Sequence, residues 1–155
     1  MENFLKKSFI NKNGIVSFEI KDIKTKEVSE FYNNNPFPNY KEGDNKQTIL
    51  DKGNKNFLAN QFKNFIGYKK KVLEVGCGTG QLSNYFAIGT NNKIVGLDPT
   101  ITSLNLANDF ANKNKITNIK FVHADIFDDV LVDNVFDFIW TNGAVSYTHL
   151  TLPTT

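Results

Sequence analysis

Val72-Leu73-Glu74-Val75-Gly76-Cys77-Gly78-Thr79-Gly80 runs from a short apolar stretch into a loop with glycine at every second position. An apolar run this short, closed by glycine, reads as a buried strand. The glycines mark backbone that must turn sharply and let another group come close. Downstream, Leu82, Tyr85 and Phe86 fall on one side of a helix. The same alternation then repeats. Ile94-Val95-Gly96-Leu97 is a second strand, ended by Asp98-Pro99, and the helix after it carries Leu104, Ala107, Phe110 and Ala111. Ile119-Lys120-Phe121-Val122 is a third strand ending near Asp125, and Phe136-Asp137-Phe138-Ile139-Trp140 a fourth. Strands alternating with helices of 10–15 residues predict an α/β chain built of crossover units on a parallel sheet.

Upstream the pattern is less regular. Leu58, Phe62, Phe65 and Ile66 recur at helical spacing before Gly67, which suits a C-cap. Lys41 to Lys55 is polar and reads as irregular. Phe31 to Tyr40 holds Pro36, Pro38 and several aromatics, a composition that excludes a regular helix across it and suggests a fixed loop, a lid or a linker. Ile15 to Ile20 alternates beside the turn signal Asn13-Gly14, as in a small hairpin.

A chain of 155 residues has room for one domain with a real core. One Cys rules out a disulfide framework and leaves too few soft ligands for a zinc site, so no metal is expected. The formal charge is +2, with the basic residues all Lys, too small a bias to draw nucleic acid by bulk electrostatics. No apolar run approaches a membrane span, and Met1 to Ile10 lacks the apolar stretch of a signal peptide. A cytoplasmic protein is the expectation.

Ligands of parallel sheets bind beyond the carboxyl ends of the strands. Four features fall there in register: the Gly76 to Gly80 loop, Asp98, Asp125, and Thr141-Asn142-Gly143. A dinucleotide loop of the form G-x-G-x-x-G starting at Gly76 would need glycine at 81, where the chain has Gln81 and places glycine at 80 instead. Glu74 also stands just before the loop. A carboxylate there repels a pyrophosphate but suits an adenosylated amino acid, which carries an ammonium and a sulfonium.

Together these segments resemble the class I, Rossmann-like S-adenosylmethionine-dependent methyltransferases. Val72 to Gly80 is similar to their first motif and Val95-Gly96-Leu97-Asp98 to the second-strand motif. Val122-His123-Ala124-Asp125 and Phe136 to Gly143 are similar to the third and fourth. The resemblance implies that Gly76, Gly78 and Gly80 line the methionine and ribose part of S-adenosylmethionine. By the same resemblance Glu74 holds the amino-acid end, Asp98 takes the ribose hydroxyls, Asp125 meets the adenine amino group with Ile126 against the ring, and Asn142 follows the fourth strand. It also implies a sheet ordered 3-2-1-4-5-7-6, of which four strands are legible here, so the fold reads as incomplete, with an exposed edge at the fourth strand.

Three regions are expected: an N-terminal substrate-like or lid-like segment at 1–54, a truncated S-adenosylmethionine-binding domain at 55–143, and a tail at 144–155. The tail resembles the translation of a sequencing adapter, so Tyr147 and His149 are given no catalytic work. The implied reaction is methyl transfer to an acceptor, a small molecule by preference because no basic patch or stacked-aromatic platform for nucleic acid is seen. Two alternatives stay open at this point: a methyltransferase-like domain acting as a non-enzymatic partner, and a nicotinamide-dependent reductase.

Overall fold

A computed structural model describes residues 4–141; Asn142, Gly143 and the 144–155 stretch lie outside the described residues. Strands β1 (Ile10–Lys12) and β2 (Ile15–Ser17) come first, followed by helices α1 (Ile23–Asn34), α2 (Lys46–Lys55) and α3 (Phe57–Ile66). The α/β part then runs β3 (Lys71–Val75), α4 (Gln81–Ala87), β4 (Lys93–Asp98), α5 (Ile101–Lys113), β5 (Ile119–His123) and β6 (Phe138–Thr141).

These strands form one sheet in the order β1-β2-β5-β4-β3-β6. All neighbours are parallel except the β1-β2 hairpin. Its β5-β4-β3-β6 portion has the 3-2-1-4 order that the resemblance implied. The hairpin at Asn13-Gly14 was legible in the sequence, but its docking beside β5, with Val16 opposite Val122, was not. At the other end β6 is the last strand of the order among the described residues, and the Ile139 side chain on its face is 58% exposed.

Strand alternation divides the core in two. Val72, Ile94 and Phe121 face one way, with Phe86, Leu104 and Phe110 from the helices packed on them. Leu73, Val75, Val95, Leu97 and Val122 face the other way, where Phe4, Phe18 and Val130 cover them. The parity matters for the site. Glu74 shares the face of Val72, and so lies under α4 at the carboxyl end of β3.

Two sequence expectations change. Lys41 to Lys55 is not irregular throughout, because α2 occupies its second half. That helix has only two apolar residues, Ile49 and Leu50, and is set by its start, where the Asn45 side chain accepts from the amides of Gln47 and Thr48 while the Thr48 hydroxyl accepts from the Asn45 amide. This is a capping box with Thr where Glu or Gln is usual. Phe31 to Asn34 is the last turn of α1, opened by the Asp22 cap on the Thr25 amide. The helix stops at Asn35 because the residue before a proline is driven out of helical conformation. Only Pro36 to Tyr40 behaves as the fixed strap the prolines suggested. No described helix is long and apolar enough to cross a membrane.

Candidate functional site

The loop after β3 is pinned to the end of β4. The amides of Gly76 and Cys77 both donate to the Leu97 carbonyl, at 2.8 and 3.1 Å. The Gly78 amide donates to Asp98 Oδ2 at 2.8 Å, and the Gly80 amide to the Cys77 carbonyl at 2.9 Å. Four of the loop's amides therefore already have acceptors inside the protein. An anion cradle needs such amides free and convergent, so the loop is built for something other than a pyrophosphate.

Two of its glycines are required for different reasons. At Gly78, φ is +55° and a Cβ would stand 2.9 Å from the Phe37 carbonyl oxygen of the strap. At Gly80, φ is +72° and a Cβ would meet Ala107 Cβ at 2.6 Å and the Phe121 ring at 2.9 Å. Gly78 thus admits the strap, while Gly80 brings α4 close to α5 and the sheet.

Beyond the ends of β3 and β4 opens a cavity of about 380 Å³. Glu74, Gly76, Gly78 and Asp98 line it, as do Tyr32, Phe37 and Pro38 from the N-terminal part. Glu74 is 3% exposed, and its Oε1 accepts from the Ser83 hydroxyl at 2.7 Å. Burial pushes its carboxyl up to about 8, against the pull of the Ser83 hydrogen bond and with some help from the Asp98 charge. Asp98 is also buried, and burial raises it too, although the amides of Gly78 and Thr100 hold its two oxygens at 2.8 and 2.9 Å. Neither carboxylate belongs to an ion pair among the described residues. Two buried acids without a cation make the cavity floor a place where a positive ligand is favoured.

The strap closes one side. Tyr40 donates from its hydroxyl to the Thr79 carbonyl at 2.8 Å and stacks on Phe110 at 4.7 Å. The Thr79 hydroxyl donates to the Pro38 carbonyl, and Gln81 Nε2 to the Asn39 carbonyl at 3.1 Å. Gln81, which broke the dinucleotide pattern, is thus a latch for the strap and also lines the cavity.

The predicted site residues do not all meet. Glu74, Gly76, Gly78 and Asp98 share the cavity wall; Gly80, Asp125 and Ile126 do not line it. The Asp125 carboxylate accepts from the Thr25 hydroxyl and from the Phe127 amide, both at 3.0 Å, so it ties the end of β5 to the start of α1. Ile126 packs with the second core group. Asn142 lies outside the described residues. Sequence reading missed Ser83, which orients Glu74, and Lys52, which lines the cavity from α2. Ser83 was passed over because only apolar positions of that helix were weighed.

Other titrating groups have structural work. His123 bridges Ser17 Oγ at 2.8 Å and the Pro99 carbonyl at 3.0 Å, and burial lowers it. Lys63 donates to the carbonyls of Tyr85 and Ile88 at the end of α4, and burial lowers it to about 8. Cys77 is buried and its thiol is pushed up, so it fills the loop rather than reacting. No group of residues fit to hold a metal ion occurs among the described residues.

Comparison with known proteins gives these geometries a context. The sequence pattern of a family described as "Methyltransferase domain" matches residues 66–154. A Methanocaldococcus jannaschii protein, provisionally named a protein N5-glutamine methyltransferase, is 40% identical over 81 residues, covering 52% of this chain and 40% of its own length. Tocopherol O-methyltransferase of Arabidopsis thaliana is 33% identical over 73 residues, covering 46% of this chain and 21% of its own. The chain therefore spans less than half the length of these relatives. In fold it is similar to a Methanococcus maripaludis protein provisionally described as an S-adenosyl-L-methionine-dependent methyltransferase. That likeness has a TM-score of 0.56 at 20% identity, over 84% of this chain and 55% of that one. It is also similar to the [4+2]-cyclase SpnF, with a TM-score of 0.51 at 25% identity over 54% of this chain and 32% of that one.

Proposed function

The chain belongs to the methyltransferase-domain family, and from that premise we propose that the protein transfers the methyl group of S-adenosylmethionine to a small-molecule acceptor. The observation that carries the cofactor reading is the cavity floor. Glu74 and Asp98 are buried acids without a cation, beside a loop whose amides are already engaged. A sulfonium and an ammonium suit that floor, and a pyrophosphate does not.

S-adenosylmethionine, when bound, would supply an activated methyl group, an acceptor's lone pair bonding to the methyl carbon as the carbon–sulfur bond breaks and S-adenosylhomocysteine leaves. The protein's share is to bind and position. Glu74, fixed by Ser83, takes the ammonium of the amino-acid end. Gly76 and Gly78 let the cofactor lie against the backbone, and Asp98 takes ribose hydroxyls through the acceptor capacity its two amide bonds leave. Gly80 serves the loop from behind, through packing. Asp125 and Ile126 would hold the adenine end, the Asp125 carboxylate accepting from the adenine amino group and Ile126 lying against the ring. Asn142, which the resemblance gives to the cofactor, lies outside the described residues. In this reading the 1–54 segment covers a 55–143 cofactor domain, with Tyr32 and Phe37 on the acceptor side.

Likeness to a protein named for cyclisation supports a second reading, in which the fold binds its cofactor without methyl transfer. Titration calorimetry of the full-length protein with S-adenosylhomocysteine and with NAD tests the cofactor, and radiolabelled methyl transfer to a panel of small acceptors tests the reaction. We expect S-adenosylhomocysteine to bind and NAD not to. Binding of NAD alone would overturn the cofactor reading, and cofactor binding with no transfer to any acceptor would favour the second.

A further inference from the structure

One helix face beside the acidic floor has no place in the reading above. Ile49, Lys52, Gly53 and Asn56, at successive turn positions of α2 and its cap, all line the cavity. The face is held firmly. Ile49 is 1% exposed, and Gly53 packs so close to α4 that a Cβ there would lie 2.2 Å from the Tyr85 ring. Lys52 sits between them. Among the described residues lining the cavity it is the one basic side chain.

Its ammonium is aimed but not saturated. Lys52 Nζ donates to Asp44 Oδ2 at 3.1 Å, and the Lys41 amide fixes the same oxygen at 2.7 Å. The Asp44 side chain is only 7% exposed, whereas that of Lys52 is 40% exposed. An ammonium has three donors, and this one has a single protein acceptor among the described residues. Lys63 differs, since the carbonyls of Tyr85 and Ile88 both occupy it. The cavity therefore has two buried acids on the strand side and, on the helix side, a lysine whose ion pair with Asp44 leaves part of its donor capacity unused. Such a pair of walls fits a ligand that carries a positive and a negative group close together.

We propose that Lys52 recognises the α-carboxylate of the cofactor's amino-acid end, opposite Glu74, which takes its ammonium. The inference rests on the cofactor reading above and adds the group that orients the zwitterion. The reverse placement would set carboxylate against carboxylate.

The test is calorimetric, on the full-length protein, with S-adenosylmethionine and its decarboxylated form, which differ only in the group at issue. The unaltered protein should prefer the carboxylated ligand by about tenfold to a hundredfold, the range for a hydrogen bond to a charged group. Lys52→Met keeps the aliphatic stem and should bring that preference close to one, while Lys52→Arg should restore part of it. Matching thermal transitions establish that both variants fold. No preference in the unaltered protein, or a preference that survives Lys52→Met, overturns the role of Lys52 and leaves the cofactor reading standing. Binding of neither ligand overturns both.

Discussion

Replacing Glu74 with Gln should stabilise the protein at alkaline pH and weaken the cofactor. The sign follows from the raised carboxyl. Glu74 titrates near 8 when folded and near 4.5 when unfolded, so between those values the folded state holds a proton that the unfolded state has lost. Stability from this group is therefore present at low pH and falls as pH rises through 8. Over pH 6.5 to 9 a folded value of about 8 costs about 2 kcal/mol. Gln cannot ionise, yet its carbonyl still accepts from the Ser83 hydroxyl, so the variant escapes the cost without orphaning that donor. His123 and Lys63 shift in the opposite direction, and taking the difference between variant and parent cancels them. Thermal melts of both proteins across this pH range should show the variant gaining about 4–8 °C on the parent from one end to the other. Calorimetry should show the reverse for the ligand. In the parent, affinity for S-adenosylhomocysteine rises with pH as Glu74 ionises to meet the ammonium, and in the variant that part of the rise is lost. A melting difference that does not change with pH would refute the buried, raised carboxyl on which the reasoning depends.

Three further outcomes can be checked separately. Asp98→Ala removes the acceptor of the Gly78 and Thr100 amides as well as the proposed ribose ligand, and should weaken S-adenosylhomocysteine by about tenfold or more; unchanged affinity by calorimetry would count against its role. Gly80→Ala forces a side chain into left-handed backbone and against Ala107, for about 2–4 kcal/mol of lost stability by chemical denaturation; a loss below about 0.5 kcal/mol would show that the loop yields. Tyr40→Phe leaves the Thr79 carbonyl without its donor and should cost about 1–3 kcal/mol in urea unfolding, with no loss if the strap is held by stacking on Phe110 alone.

The parallel sheet was legible because each strand from β3 to β6 is announced by its own apolar run, with helical spacing between β3 and β4 and between β4 and β5. Glu74 and Asp98 were legible because they stand at strand ends, where register fixes their place. Lys52 was not, since it lies in a helix with only two apolar residues, Ile49 and Leu50, that depends on the Asn45-Thr48 capping exchange. Ser83 was hidden for a related reason. A buried polar residue on a helix leaves no mark in a hydrophobic pattern, and only the strand parity that turns Glu74 toward α4 gives it a purpose.

The N-terminal part was the least legible because its contacts are long in sequence and polar in kind. Pro38, Asn39 and Tyr40 meet Thr79, Gln81 and Asn84 through hydrogen bonds about 40 residues apart along the chain. Thr25 meets Asp125 across 100 residues. Each bond ties a group on the glycine loop, in α4 or at a strand end to the part of the chain between β2 and β3. Loop and strap are therefore stabilised together. Since Phe37 and Pro38 of the strap line the same cavity as Glu74 and Asp98, a ligand that fills the cavity touches both. Its binding free energy then depends on where the strap holds Phe37 and Pro38, so substitutions in residues 36–40 should alter ligand affinity in calorimetry without touching any of the strand-end acids.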